Sequence, residues 1–185
     1  MMKKVFIFLF LPFTVSPGAF AQSQSTVVFD GEVVSDTCSI VSTDLNQTVH
    51  LPTVSAQDLN TAGKTAGSKD FSINVENCPN TLKHVTAHFE ANNGTLGYDV
   101  KTHNVSNMFK DTSGAANPAA PAKDVQVRIF DQDGTTQVEV AGTDGQSIPI
   151  SSGKAKIPYV AAYYSTGAAT AGKVLATVAY TLVYN

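Results

Sequence analysis

Past the first two dozen residues, apolar side chains recur at every second position, in short runs punctuated by Gly, Pro and Asx turns. A period of two puts successive side chains on opposite faces, which is the signature of a strand. Residues 71–75 alternate strictly and lead into Cys78-Pro79. In 82–91, Val85, Ala87 and Phe89 share one face, while His84, Thr86, His88 and Glu90 share the other. This pattern predicts a half-buried antiparallel strand with a solvated polar face. Further strands are predicted at 26–34, 38–41, 48–51, 125–129, 136–140, 148–150, 155–164 and 174–184. Residues 53–69 are small and polar and read as loop, with room for a short helical turn between 55 and 65. Residues 92–122 are the least regular, with a turn signal at Asn93-Gly94 and two prolines in 114–122. No helical period of useful length occurs. Many short strands with Gly and Pro turns predict one all-β domain over 22–185, a sandwich or a barrel.

The last predicted strand stands apart. Ala176, Val178, Tyr180, Leu182 and Tyr184 fall on one face, and Leu175, Thr177, Ala179, Thr181 and Val183 on the other. A strand apolar on both faces is expected to be buried on both. Yet this one ends the chain, carries no charge after Lys173 and has no Pro, the usual protections of an exposed edge. Two readings stand at this point: a central strand that comes last, or an edge kept adhesive for another chain.

The N-terminus reads as a secretory leader over 1–21. Lys3-Lys4 precede a short apolar run, and Ala19-Phe20-Ala21 is a small-x-small cleavage site. The run is too short to span a bilayer, so the expected product is exported, with no membrane insertion. From Gln22 onward the chain has ten basic against fifteen acidic side chains. That balance argues against a phosphate backbone as partner, and nucleic-acid binding drops out. Cys38 and Cys78 are the two cysteines. In an oxidising compartment such a pair most often bonds to itself, and the loop it closes is worth about 4 kcal/mol in the chain-entropy model. The rival, a metal site, lacks both CxxC spacing and a nearby His.

Four segments carry a family resemblance. They are Phe29-Asp-Gly-Glu-Val-Val34 with Cys38 four residues on, and Phe71-x-Ile-x-Val75 followed by Cys78. Then come Val125-Gln-Val-Arg-Ile-Phe-Asp131 with Gly134, and Ile157-Pro-Tyr-x-Ala-x-Tyr163 ahead of Thr166-Gly-Ala-Ala-Thr170 and the closing strand. In this order and spacing they resemble the chaperone–usher pilin subunits, of the type 1 fimbrial major-subunit kind, across essentially all of 22–185. That family has an aromatic penultimate residue and a Gly fourteenth from the C-terminus; here these are Tyr184 and Gly172.

The resemblance implies an incomplete immunoglobulin-like β-sandwich that lacks its last strand. A periplasmic chaperone lends a strand beside Gly172, Ala176, Val178, Tyr180, Leu182 and Tyr184. At an outer-membrane usher, a neighbouring subunit's N-terminal extension replaces it, and the product is a cell-surface fimbrium that supports adhesion. Strand addition of this kind combines backbone pairing with pockets for alternate side chains. Five such side chains, taken from full exposure, would contribute on the order of 10 kcal/mol before entropy. The donor segment is expected at 22–31, with Val27, Phe29 and Gly31 inserted and 32–185 as the pilin domain. The alternative for Val27 and Phe29 is a first strand packed in its own sandwich. Seven residues precede Phe29 in the expected mature chain, and Ser25 stands where family major subunits have a Gly. That leaves fewer donor residues than the family usually has.

Signals for other chemistry are weak. On a strand His84 and His88 lie about 14 Å apart, too far for one ion. Gly63-Lys64-Thr65 lacks the first Gly of a P-loop, which Asp58 replaces. Ser151-Ser-Gly-Lys154 spells S-x-x-K with no companion motif. Asp131-Gln-Asp-Gly134 could suggest calcium, but a hairpin turn accounts for it. No catalytic residue, metal site or cofactor is expected. The second reading is a minor subunit or an exported adhesive module whose ligand surface would be 92–122, and a secreted hydrolase ranks last.

Overall fold

The computed structural model describes residues 27–31, 33, 36–91, 97–112 and 119–185. The expected leader, Ser25, the Asn93-Gly94 turn and positions 113–118 lie outside the described residues. The chain falls into two units, Met1–Val33 and Val34–Asn185. In the first, the described residues form no strand, and Val27 and Phe29 are 75% and 93% exposed. The pattern at 26–34 predicted a strand. Its apolar residues have the right period, but a strand is stable only when a neighbour pairs with it.

The second unit is all β. Its strands are β1 (Ser39–Ile40), β2 (Thr65–Glu76), β3 (His84–Glu90), β4 (Val105–Ser106), β5 (Val125–Asp131), β6 (Gln137–Val138), β7 (Ile148–Pro149), β8 (Ala155–Ser165) and β9 (Ala179–Tyr184). The larger sheet runs β1-β2-β8-β5-β4, with β6 also on β5; the smaller runs β7-β3-β9. Every strand pair is antiparallel. The facing rows of the two sheets make the core. Ile73, Val75, Val85, Ala87, Phe89, Ile129, Ile157 and Tyr159 are all buried there. Tyr159 sits at its centre, edge-on to Phe89 at 5.1 Å, with its hydroxyl accepting the Ala87 N–H at 3.2 Å.

Cys38 and Cys78 are joined, with their Cα atoms 4.1 Å apart. Cys38 immediately precedes β1, and Cys78 lies two residues beyond the end of β2. Since Ser39 pairs with Glu76, the bond lies within one sheet and staples the edge strand to its neighbour.

Three elements differ from the sequence expectation. Residues 65–69, read as loop, open β2. The sheet tolerates small polar residues there because β8 supplies the ladder, and the register slips between Ala66 and Lys69. Gly67 makes that slip possible. Its φ is +67°, and a Cβ would come within 2.9 Å of Val54 Cγ1 and 3.0 Å of Tyr163 Cδ2. Residues 48–51 pair with no strand, and the short turn anticipated in 55–65 is a 3-10 helix at Ala56–Leu59. β9 starts at Ala179 rather than 174, because Leu175 is bonded elsewhere: its N–H goes to Asn107 Oδ1 at 3.0 Å and its C=O accepts Met108 N–H at 2.8 Å.

Candidate functional site

Strand β9 lies at the edge of the smaller sheet, beyond β3. This settles the two readings of the last strand in favour of an edge. Along 174–184 exposure alternates without a break: even-numbered residues are half-buried and odd-numbered ones exposed. Ala176, Val178, Tyr180, Leu182 and Tyr184 pack against the core without being covered by it. Tyr180 lies edge-on to Phe89 at 6.1 Å, and burial pushes its phenol pKa up, with a smaller contribution from the charge of Asp44. The expectation of burial on both faces is corrected: Leu175 is 56% and Val183 37% exposed. Among the described residues this unit has two packed sheets, so the outer face of an edge strand meets no third layer there.

Backbone parity makes the half-buried row more than a patch. His84 and Asn185 exchange N–H···O bonds at 3.1 and 3.4 Å. In an antiparallel ladder such exchange alternates. Ala179, Thr181 and Val183 therefore turn their N–H and C=O toward β3, and Tyr180, Leu182 and Tyr184 turn theirs away from it. The same residues that leave side chains half-covered also present an unpaired backbone edge, which no strand among the described residues occupies.

The opposite wall is built from β1. Val41 N–H donates to Asn74 O at 2.9 Å, so by the same alternation the N–H groups of Cys38 and Ile40 point away from β2. β1 then stops, and Asp44 takes over its role. Its Oδ2 accepts Asn74 N–H at 2.8 Å and Asn74 Nδ2 at 2.7 Å, and its Oδ1 accepts the Thr43 hydroxyl at 3.1 Å. Burial pushes the Asp44 carboxyl up, but these donors outweigh it and hold the pKa below its ordinary 3.8. Across the gap, Cys38 N–H donates to the Tyr184 hydroxyl at 3.2 Å.

Gly172 has a steric reason to be glycine. A Cβ there would stand 2.5 Å from Pro121 C and 2.7 Å from Ala122 Cα. The crossing is fixed by Ala122 N–H to Lys173 O at 2.9 Å and by Asn107, whose Nδ2 donates to Ala122 O and Lys173 O. Asn107 and Asp44 are the residues that sequence reasoning missed. A lone polar residue beside a short strand gives no signal in a pattern of apolar positions.

The remaining motifs are structural. Ser151 and Lys154 exchange backbone bonds around a two-residue turn with φ of 51° at Ser152 and 71° at Gly153. Asp133 accepts from Thr135 N–H, Thr136 N–H and the Thr136 hydroxyl, which lowers its pKa to about 2. The polar face of β3 is partly covered rather than solvated. His88 meets Asp144 at 2.5 Å, and the Thr86 hydroxyl donates to Gly145 O. Among the described residues no three His, Cys, Asp or Glu gather as a metal site, and no helix is long and apolar enough to cross a membrane.

Comparison with known proteins agrees with this fold. The family model described as "Fimbrial protein" matches residues 27–185. The chain is 35% identical to the F17 fimbrial protein of Escherichia coli, over 99% of each chain. It is 32% identical to the major fimbrial subunit SMF-1 of Stenotrophomonas maltophilia, over 92% of this chain and 98% of that one. Its fold is similar to the rod subunit of the P pilus, with a TM-score of 0.57 at 17% identity over 81% of this chain and all of that one. A chaperone–usher pilus subunit gives a TM-score of 0.58 at 19% identity, over 90% and 98%. Sequence and fold together establish that this chain belongs to the fimbrial protein family.

Proposed function

We propose that the protein is a structural fimbrial subunit that polymerises by accepting a strand along β9 and donating one from about residues 22–31. The observation that carries this reading is the coincidence at Tyr180, Leu182 and Tyr184 of half-covered side chains and an unpaired backbone edge. A donated strand answers both deficits at once. It covers the apolar row and pairs the free N–H and C=O groups, each bond contributing about 1 kcal/mol net. The row is already half-buried, so the apolar gain is roughly half of what full exposure would give.

Val27, Phe29 and Gly31 are the inserted donor residues in this reading, and the exposure of Val27 and Phe29 leaves them available. Until a neighbour arrives, a periplasmic chaperone covers the same edge. An outer-membrane usher then exchanges one strand for the other, and the filament stands at the cell surface. Relatives named as major fimbrial subunits, matched over most of their length, favour a major-subunit-like role over an adhesive module. The role is structural, with no catalytic step assigned.

The test is self-complementation. Residues 22–31 are removed and appended after Asn185 through a short flexible linker. The expected product is a soluble monomer that melts well above the native mature chain. Equal melting temperatures, with the native chain already a stable monomer, would mean that the sandwich needs no further strand.

A further inference from the structure

We propose that the hydroxyl of Tyr184 is an end stop that fixes where an accepted strand terminates, a role separate from the apolar contact of its ring. This rests on the strand-accepting reading of β9. Two open edges face the gap, and each is defined by backbone parity: Tyr180, Leu182 and Tyr184 on β9, and Cys38 and Ile40 on β1. Everywhere else along the gap the backbone groups of these residues await a partner. At one end the partner is already present, because Cys38 N–H donates to Tyr184 Oη at 3.2 Å.

That bond ties the last strand of the smaller sheet to the start of the larger one, across 146 residues of sequence. Its two ends are held firmly. Cys38 is fixed by the bond to Cys78, and Tyr184 is fixed by its register with Val85 and by the flanking His84–Asn185 exchange. A strand sliding toward this end meets an N–H already satisfied and a phenol in the space its next residue would need. A one-residue slip would turn every inserted side chain to the wrong face, so a fixed stop at one end is an inexpensive way to impose register. Backbone pairing alone is indifferent to sequence and cannot do so. The stop also suits a short donor such as 22–31.

The probe is a synthetic peptide of residues 22–34 added to the mature chain, with site-resolved amide hydrogen exchange as the readout. In the wild type, the peptide is expected to slow exchange at Tyr180 and Leu182 at least tenfold. Cys38, protected already, should stay unchanged. In Tyr184→Phe the ring remains but the bond is lost. The Cys38 amide should exchange at least tenfold faster in the free protein and become protected on adding peptide, as the strand runs past the missing stop. If the wild-type Cys38 amide changes its exchange on adding peptide, the hydroxyl is displaced and the end stop is overturned, whatever the variant does. Identical protection patterns in wild type and Tyr184→Phe overturn it as well. No protection at Tyr180 and Leu182 in the wild type overturns the strand-accepting reading itself, a different outcome from either.

Discussion

Strands β8 and β9 are alike as sequences and opposite as structures. Both are apolar on both faces. β8 lies between β2 and β5, with Ile157, Tyr159 and Ala161 buried in the core and Val160 and Ala162 buried with Phe130 on its other face. β9 has one strand neighbour, and none of its residues is fully buried. The lesson concerns what an apolar pattern means. Two apolar faces show that a strand can be covered on both sides, but the sheet order decides whether the chain does the covering itself. In β8 the demand is met internally, and in β9 it is left unmet by the described residues.

The comparison can be strained first at the centre of β8. Tyr159→Ala removes a fully buried ring and leaves Ala87 N–H unpaired, so urea unfolding should show a loss of about 4 kcal/mol. A loss under about 1 kcal/mol would mean that β8 is not the core of the fold. Leu182→Ala in β9 should behave differently by context. The mature chain should lose about 1 kcal/mol, in keeping with a half-buried side chain. The self-complemented form should lose about 3 kcal/mol, as for a buried leucine. Equal losses in the two forms would show that nothing covers Leu182 when the donor is present.

Gly172→Ala forces a Cβ into the Pro121–Ala122 backbone and should cost about 2 kcal/mol in thermal melts, the scale of overpacking. Asp44→Asn probes the other wall of the gap. It weakens charge-assisted bonds and should cost about 1 kcal/mol at neutral pH. The pH dependence follows from the sign of the shift. The folded pKa of Asp44 is lowered, so its contribution is complete above the ordinary 3.8 and is lost as pH falls through the folded value. The loss of stability below pH 4 should therefore be shallower in Asp44→Asn. It should not vanish, because Asp99 and Asp133 are lowered in the same direction. The smallest effect is expected at Val183→Thr, on the outer row of β9, within about 0.5 kcal/mol. A larger loss would show that the outer row is covered too.

Much of the fold was legible because alternation is local. Val85, Ala87 and Phe89 were assigned to the core from their spacing and are buried there. The turn at Asp133-Gly134 was equally local, since the positive φ at Gly134 favours glycine whatever surrounds it. The opening of β2 at 65–69 was hidden because its residues are small and polar, and its partner Tyr163-Tyr164 lies a hundred residues away. Asp44 was hidden for a related reason: a carboxylate standing in for a strand depends on which backbone N–H the fold leaves vacant.

For the last strand, the order of residues alone establishes a row of alternate apolar side chains ending at Tyr184, together with the cysteine pair and the family resemblance. That this row lies at an edge, that its backbone faces away from β3 and that the Tyr184 hydroxyl meets Cys38 emerge only from the folded sheets. The physical reason is that side-chain alternation is fixed by the chain's own covalent geometry, whereas an unpaired edge is a property of the whole sheet. It exists only once every other strand has taken its place.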